Sequence, residues 1–158
     1  VVAGSTKQSA WPGEVIERSI PLTEAQLQAQ VRHVFAALGY YVIEVGKTRA
    51  KLKCAKCGSM AHATGWQGNT PGAPDLYFHA PWWKHPIAVA IELKIKGGRV
   101  REQQKHLDNL GMTKVCRSVR AVFEVIKDVE QTYGSDISLE NLERFEKLNG
   151  HLMAVGQD

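Results

Sequence analysis

A chain of 158 residues, 44% hydrophobic and 23% charged, has the length of one domain and the make-up of an ordinary globule, which sets aside disordered, collagenous and coiled-coil classes. Its apolar runs are short and interrupted, well under the ~20 residues that cross a bilayer, and its opening carries no secretory pattern, so the expectation is a soluble, cytoplasmic protein. Three cysteines are too few for a disulfide framework, and 20 Lys plus Arg against 16 Asp plus Glu leave a net +4 that permits a polyanionic partner without requiring one.

Residues 1–20 read as a loose arm, 21–134 as the main domain and 135–158 as a helical extension packed on it. Thr23 and Gln26 form a capping-box pattern ahead of Leu27, Val31, Val34, Phe35 and Leu38, which fall on one face, and Gly39 suits the stop. This predicts a helix over 24–38. Tyr40 to Val45 reads as a strand. Lys47, Arg49, Lys51 and Lys53 then alternate with uncharged residues, and a period of two places all four cations on one side of an extended ribbon. After a loop rich in Gly, Asn and Pro, strands are expected at Asp75–Phe78 and Ile87–Leu93, the second apolar enough to be buried on both faces. A helix over 101–110, a strand over Lys114–Cys116 and a helix over Val119–Tyr133 follow. Ser138 can cap a last helix carrying Leu139, Leu142, Phe145 and Leu148, with Gly150 as its end. The fold class is α/β, a mixed central sheet flanked by helices.

Chemistry concentrates at Pro74-Asp75 and Glu92-Leu93-Lys94. A hairpin symmetric about an eight-residue loop pairs Phe78 with Ile87 and Asp75 with Ala90, so Asp75, Glu92 and Lys94 share one face at one end. Two carboxylates this close repel unless a cation intervenes. Hard oxygen ligands suit Mg²⁺ or Mn²⁺, which activates water and stabilises charge on a phosphate. An exposed Glu92–Lys94 ion pair is the plain alternative.

Gly72-Ala73-Pro74-Asp75-Leu76-Tyr77-Phe78, Ile91-Glu92-Leu93-Lys94, Gly98-Arg99-Val100 and Gln104-Lys105 resemble the PD-(D/E)xK nuclease superfamily, and most closely its VRR-Nuc family, over about residues 23–130. The resemblance implies a restriction-endonuclease-like core and a metal-dependent phosphodiesterase. Asp75, Glu92 and the Leu93 carbonyl would hold the metal, Lys94 would serve the nucleophile and Gln104 would be the helix glutamine. Glu24 matches a first-helix acid that completes such sites, although a glutamate there also favours the helix dipole. Small members of the family resemble homodimeric nucleases of Holliday junctions and other branched DNA, acting in bacterial or phage-infected cells. Two active sites about a two-fold axis suit two symmetric cuts.

Cys54-x-x-Cys57 has zinc-knuckle spacing, with His62 the nearest third ligand and a tight turn the plain alternative. Trp66, Trp82 and Trp83 can either stack on bases or anchor loops. The runs Lys47, Arg49, Lys51, Lys53, Lys56 and Lys96, Arg99, Arg101, Lys105 flank the carboxylates and suit phosphate contacts. Residues 1–134 hold eighteen cations and eleven acids, a net +7, and residues 135–158 two and five, a net −3. Two competing expectations are a restriction-type nuclease reading a short duplex sequence and a non-enzymatic, zinc-stabilised DNA-binding protein.

Overall fold

The computed structural model describes residues 22–45, 51–62 and 73–156, the side chains of 51–53 and 60–62 excepted. The expected arm (1–20), Lys47, Arg49, Trp66 and most of the Gly-rich loop lie outside the described residues. Helix α1, Glu24–Leu38, starts where Thr23 and Gln26 cap one another and ends at Gly39, whose φ of 81° is the left-handed conformation glycine adopts without steric cost. It buries Leu27, Val31, Val34 and Phe35.

Strand β1 (Tyr41–Glu44) follows, then β2 (Lys51–Lys53), β3 (Met60–His62), β4 (Leu76–His79) and β5 (Val89–Leu93). Helix α2 (Glu102–Asn109) leads to β6 (Lys114–Cys116), α3 (Val119–Tyr133), α4 (Asp136–Leu148) and α5 (Gly150–Met153). A four-stranded sheet runs β1-β4-β5-β6, with the first three antiparallel and β6 parallel to β5, while β2 and β3 form a separate hairpin. The parallel step is possible because α2 lies in the crossover between β5 and β6. The fold is therefore mixed α/β, with helices flanking a mixed sheet, as expected.

Four details differ from expectation. Phe78 pairs with Val89 and Ala90 with Tyr77, so the hairpin is two residues off the symmetric register. Its longer loop is held by the turn Trp83 N–H to Ala80 O, by the buried Trp83 indole and by His79 Nδ1 against Ile87 O at 2.8 Å. A shift of two leaves the face of every side chain unchanged, so Asp75, Glu92 and Lys94 still share theirs. Helix α4 is capped by Ser135 rather than Ser138: Ser135 Oγ accepts from the Ser138 N–H and Ser138 Oγ from the Ser135 N–H, so the expected cap is the far member of a capping box. Gly150 opens α5 instead of ending α4, and Leu148 is exposed. Strand β3 was not expected at all.

One apolar cluster joins α1, the sheet and the C-terminal helices through Phe35, Phe78, Ile91, Leu93, Phe123, Ile126, Leu142 and Met153, so residues 135–156 pack on the same core. Beside it lies Glu130, 1% exposed, which accepts hydrogen bonds from Tyr40 Oη (2.6 Å), Trp83 Nε1 (2.8 Å), Trp82 Nε1 (3.2 Å) and Ser138 Oγ (2.5 Å). Burial first, then the bond and charge of Glu130, push the Tyr40 phenol far above its ordinary pKa. Among the described residues no helix is long and apolar enough to cross a membrane.

Candidate active site

The end of the β4–β5 hairpin meets α1 and α2, and there the buried polar side chains collect. Asp75 is fixed at three points: its N–H donates to Ile91 O (3.1 Å), its C=O accepts from Val45 N–H (2.9 Å), and its Oδ2 accepts from Leu93 N–H (2.7 Å). A residue at the end of an inner strand whose N–H, C=O and carboxylate are all bonded to the flanking chain segments has little freedom. Glu92 is 0% exposed on the face opposite the core side of β5, because the strand alternates and its neighbours Ile91 and Leu93 point into the core. Its Oε1 accepts from Lys94 Nζ at 2.8 Å and, in a very short bond, from Gln104 Nε2. Gln104 is itself held, since its Oε1 accepts from the Arg101 N–H at 2.9 Å, so the start of α2 is tied to the buried glutamate.

Lys94 Nζ lies 3.4 Å from Glu24 Oε1, so the first helix reaches the cluster through the lysine. Burial alone would lower the Lys94 pKa, but the hydrogen bond and charge of Glu92, with the charges of Glu24 and Asp75, more than offset it and hold the ammonium above its ordinary range. Glu24, half-exposed, and the buried Asp75 and Glu92 bring three carboxyl groups around the Lys94 ammonium. Carboxylates gathered in this way favour an added cation. Among the described residues no three His, Cys, Asp or Glu side chains form a metal cage. Asp75, Glu92 and the Leu93 carbonyl would supply part of an oxygen shell, and that donor set fits Mg²⁺ or Mn²⁺, which retain several waters.

The loop after Lys94 is clamped by a residue the sequence did not single out. The Arg117 guanidinium donates to Ile95 O (2.8 Å) and Gly98 O (3.1 Å), spanning Gly97 at φ 76°. An isolated arginine between strand and helix matches no motif, so only the fold reveals it. Lys96, Arg99, Arg101 and Lys105 are exposed around this loop, Lys105 paired with Glu102 at 2.8 Å. Lys56 is exposed at the β2–β3 turn, and Lys51 and Lys53 lie on β2. Cys54 and Cys57 occupy that turn, while His62 pairs with Lys51, three residue pairs along the ribbon. Trp82 and Trp83 both donate to Glu130, which makes them loop anchors.

Set against known proteins, the chain matches no family model, no curated protein and no solved structure.

Proposed function

We propose that the chain is a metal-dependent, structure-selective DNA endonuclease with a restriction-endonuclease-like core, hydrolysing a phosphodiester with water and no covalent intermediate. The observation that supports this most is the gathering of Asp75 just before β4, Glu92 on β5, Lys94 just after it and Gln104 on α2 into one buried polar cluster. The order of helix, strand, hairpin, helix and parallel strand is the one the VRR-Nuc resemblance leads to.

Asp75 and Glu92 would hold Mg²⁺ or Mn²⁺, which when bound lowers the pKa of water and stabilises charge on the scissile phosphate. Lys94, hydrogen-bonded to Glu92 at 2.8 Å, would donate to a phosphate oxygen or to the attacking water. Gln104 fixes the Glu92 carboxylate so that its second oxygen keeps one direction. Exposed Lys96, Arg99 and Arg101 border the cluster and suit backbone phosphates, contacts that select DNA by shape. Branched DNA in the cytoplasm is the substrate on this reading, cut by a homodimer whose two-fold axis matches a four-way junction.

The test is cleavage of labelled four-way, flapped and linear DNA with Mg²⁺, Mn²⁺ or chelator. Metal-dependent cutting of branched DNA is expected, abolished in Asp75→Asn and Glu92→Gln. Cutting of linear duplex at one short sequence would replace the structure-selective reading with a restriction-type one. Binding of DNA with no cutting under any metal, or undiminished cutting by either variant, would refute the assignment.

A further inference from the structure

The hairpin of β2 and β3 needs explaining in its own right. Each strand is three residues long, and the pair makes a sheet apart from the central one. Such a ribbon is marginal alone. Residues 46–74 also carry Lys47, Arg49, Lys51, Lys53 and Lys56 with no acid to offset them, so self-repulsion works against it. Small elements with too little core are commonly held by a cross-link or a metal.

The turn has the form such a staple requires. Cys54 N–H donates to Ser59 O at 2.9 Å and Gly58 N–H donates to Cys54 O at 2.9 Å, which closes the turn, and Gly58 follows Cys57 at φ 71°. Cys57 Sγ lies 2.9 Å from Ser59 Oγ, and both cysteines are exposed. Cys54 and Cys57 thus stand three positions apart on one tight turn, with both side chains open to an incoming ion. A C-x₂-C pair on a glycine-bearing turn is half of a tetrahedral thiolate site.

We propose that Cys54 and Cys57 bind Zn²⁺ as a pair of thiolates and that the ion staples the β2–β3 hairpin, presenting its lysines as a fixed cationic ribbon. Binding displaces the thiol protons to solvent, so charge balances without any redox partner. His62 is the only other His, Cys, Asp or Glu between residues 46 and 74. A site closed within this segment would therefore take His62 with water, and a site shared between two copies would take the same two cysteines from each.

The experiment uses the whole protein, purified with no added chelator, and does not involve cleavage, so its outcome is separate from the nuclease reading. Retained zinc is measured by elemental analysis, and Co²⁺ is substituted to look for thiolate-to-cobalt charge-transfer absorbance. Roughly one zinc per chain would mean completion within the chain, and about half that in a dimer would mean sharing between copies. Chelation should speed trypsin cleavage after Lys51, Lys53 and Lys56 by about tenfold or more. Cys57→Ser should lose both the metal and the protection. No retained metal and no cobalt charge-transfer band in the wild-type protein, or a Cys54–Cys57 disulfide as the resting form under reducing conditions, would overturn the proposal.

Discussion

Replacing Lys94 by methionine keeps the length of the side chain and removes its charge, which isolates what the ammonium does for the fold. Its Nζ is 2.8 Å from the fully buried Glu92 and 3.4 Å from Glu24. At an effective dielectric near 20 the first contact alone is worth about 6 kcal/mol of gross attraction. Most of this offsets the cost of taking the groups out of water, and breaking one side of such a buried pair costs about 3–5 kcal/mol. Against a domain stability of about 5–15 kcal/mol that is a large share. Lys94→Met is therefore expected to unfold at markedly lower urea in the presence of chelator. Adding Glu92→Gln to it should recover most of the loss, because the amide carries no charge to strand. Saturating Mg²⁺ should also shrink the loss, since the metal would put positive charge where the ammonium was. The pH dependence has a definite sign. A raised lysine pKa contributes stability that is fully present below the ordinary value of 10.5 and is lost as pH rises through the raised one, so the gap between wild type and Lys94→Met should be flat near neutrality and close only in strong alkali. A Lys94→Met stability within about 1 kcal/mol of wild type without metal, or additive losses in the double variant, would refute the reasoning.

Glu130→Ala strands the buried Tyr40 hydroxyl and Trp83 indole N–H together with Ser138, and should cost about 3–6 kcal/mol in urea denaturation, with Glu130→Gln losing less; a loss under 1 kcal/mol would deny it a structural role. Arg117→Ala should lower kcat for metal-dependent DNA cleavage about tenfold with little change in KM, while shifting stability by under about 1 kcal/mol, and unchanged kcat would show that the loop it clamps does not position Lys94. The Lys127 bond, opposed by some burial and joined by Arg120, holds the Glu146 carboxyl below its ordinary range, so its contribution is present above about 4.5 and disappears as pH falls through the depressed value. Glu146→Gln should therefore cost about 0.5–1 kcal/mol at pH 7 and nothing in strong acid, and a gap that persists in acid would contradict the pairing.

What could be read in advance followed from local rules. Helix α1 has its capping box and glycine stop in the sequence, and β6 and α3 lie where their apolar residues put them. The shared face of Asp75, Glu92 and Lys94 was legible for a related reason: side-chain alternation has period two, and the register error happened to be two. The rest depends on partners distant in sequence. β3 is three residues with no periodic signal and exists through its pairing with β2. Glu130 sits on the apolar face of α3, where a carboxylate is unexpected until Tyr40, Trp82, Trp83 and Ser138, up to 90 residues away, supply four donors. The same bonds make anchors of Trp82 and Trp83, which sequence alone left divided between base stacking and anchoring, while Trp66 lies outside the described residues.

The charge balance gains meaning only when it is divided by place in the fold. Arg32 pairs with Glu44, Arg120 and Lys127 with Glu146, and Lys105 with Glu102, so part of the excess of basic residues serves the fold. The α3–α4 pairing also absorbs one of the acids that make residues 135–158 net negative. What borders the carboxylate cluster is the exposed group Lys96, Arg99 and Arg101, on a loop that Arg117 holds in place. On the nuclease reading, a phosphate approaching this end meets those cations first and then the carboxylates of Asp75 and Glu92, which repel it unless a divalent cation lies between them. Attraction at the rim and repulsion at the centre together would make productive binding depend on metal, while loose binding would depend on salt alone.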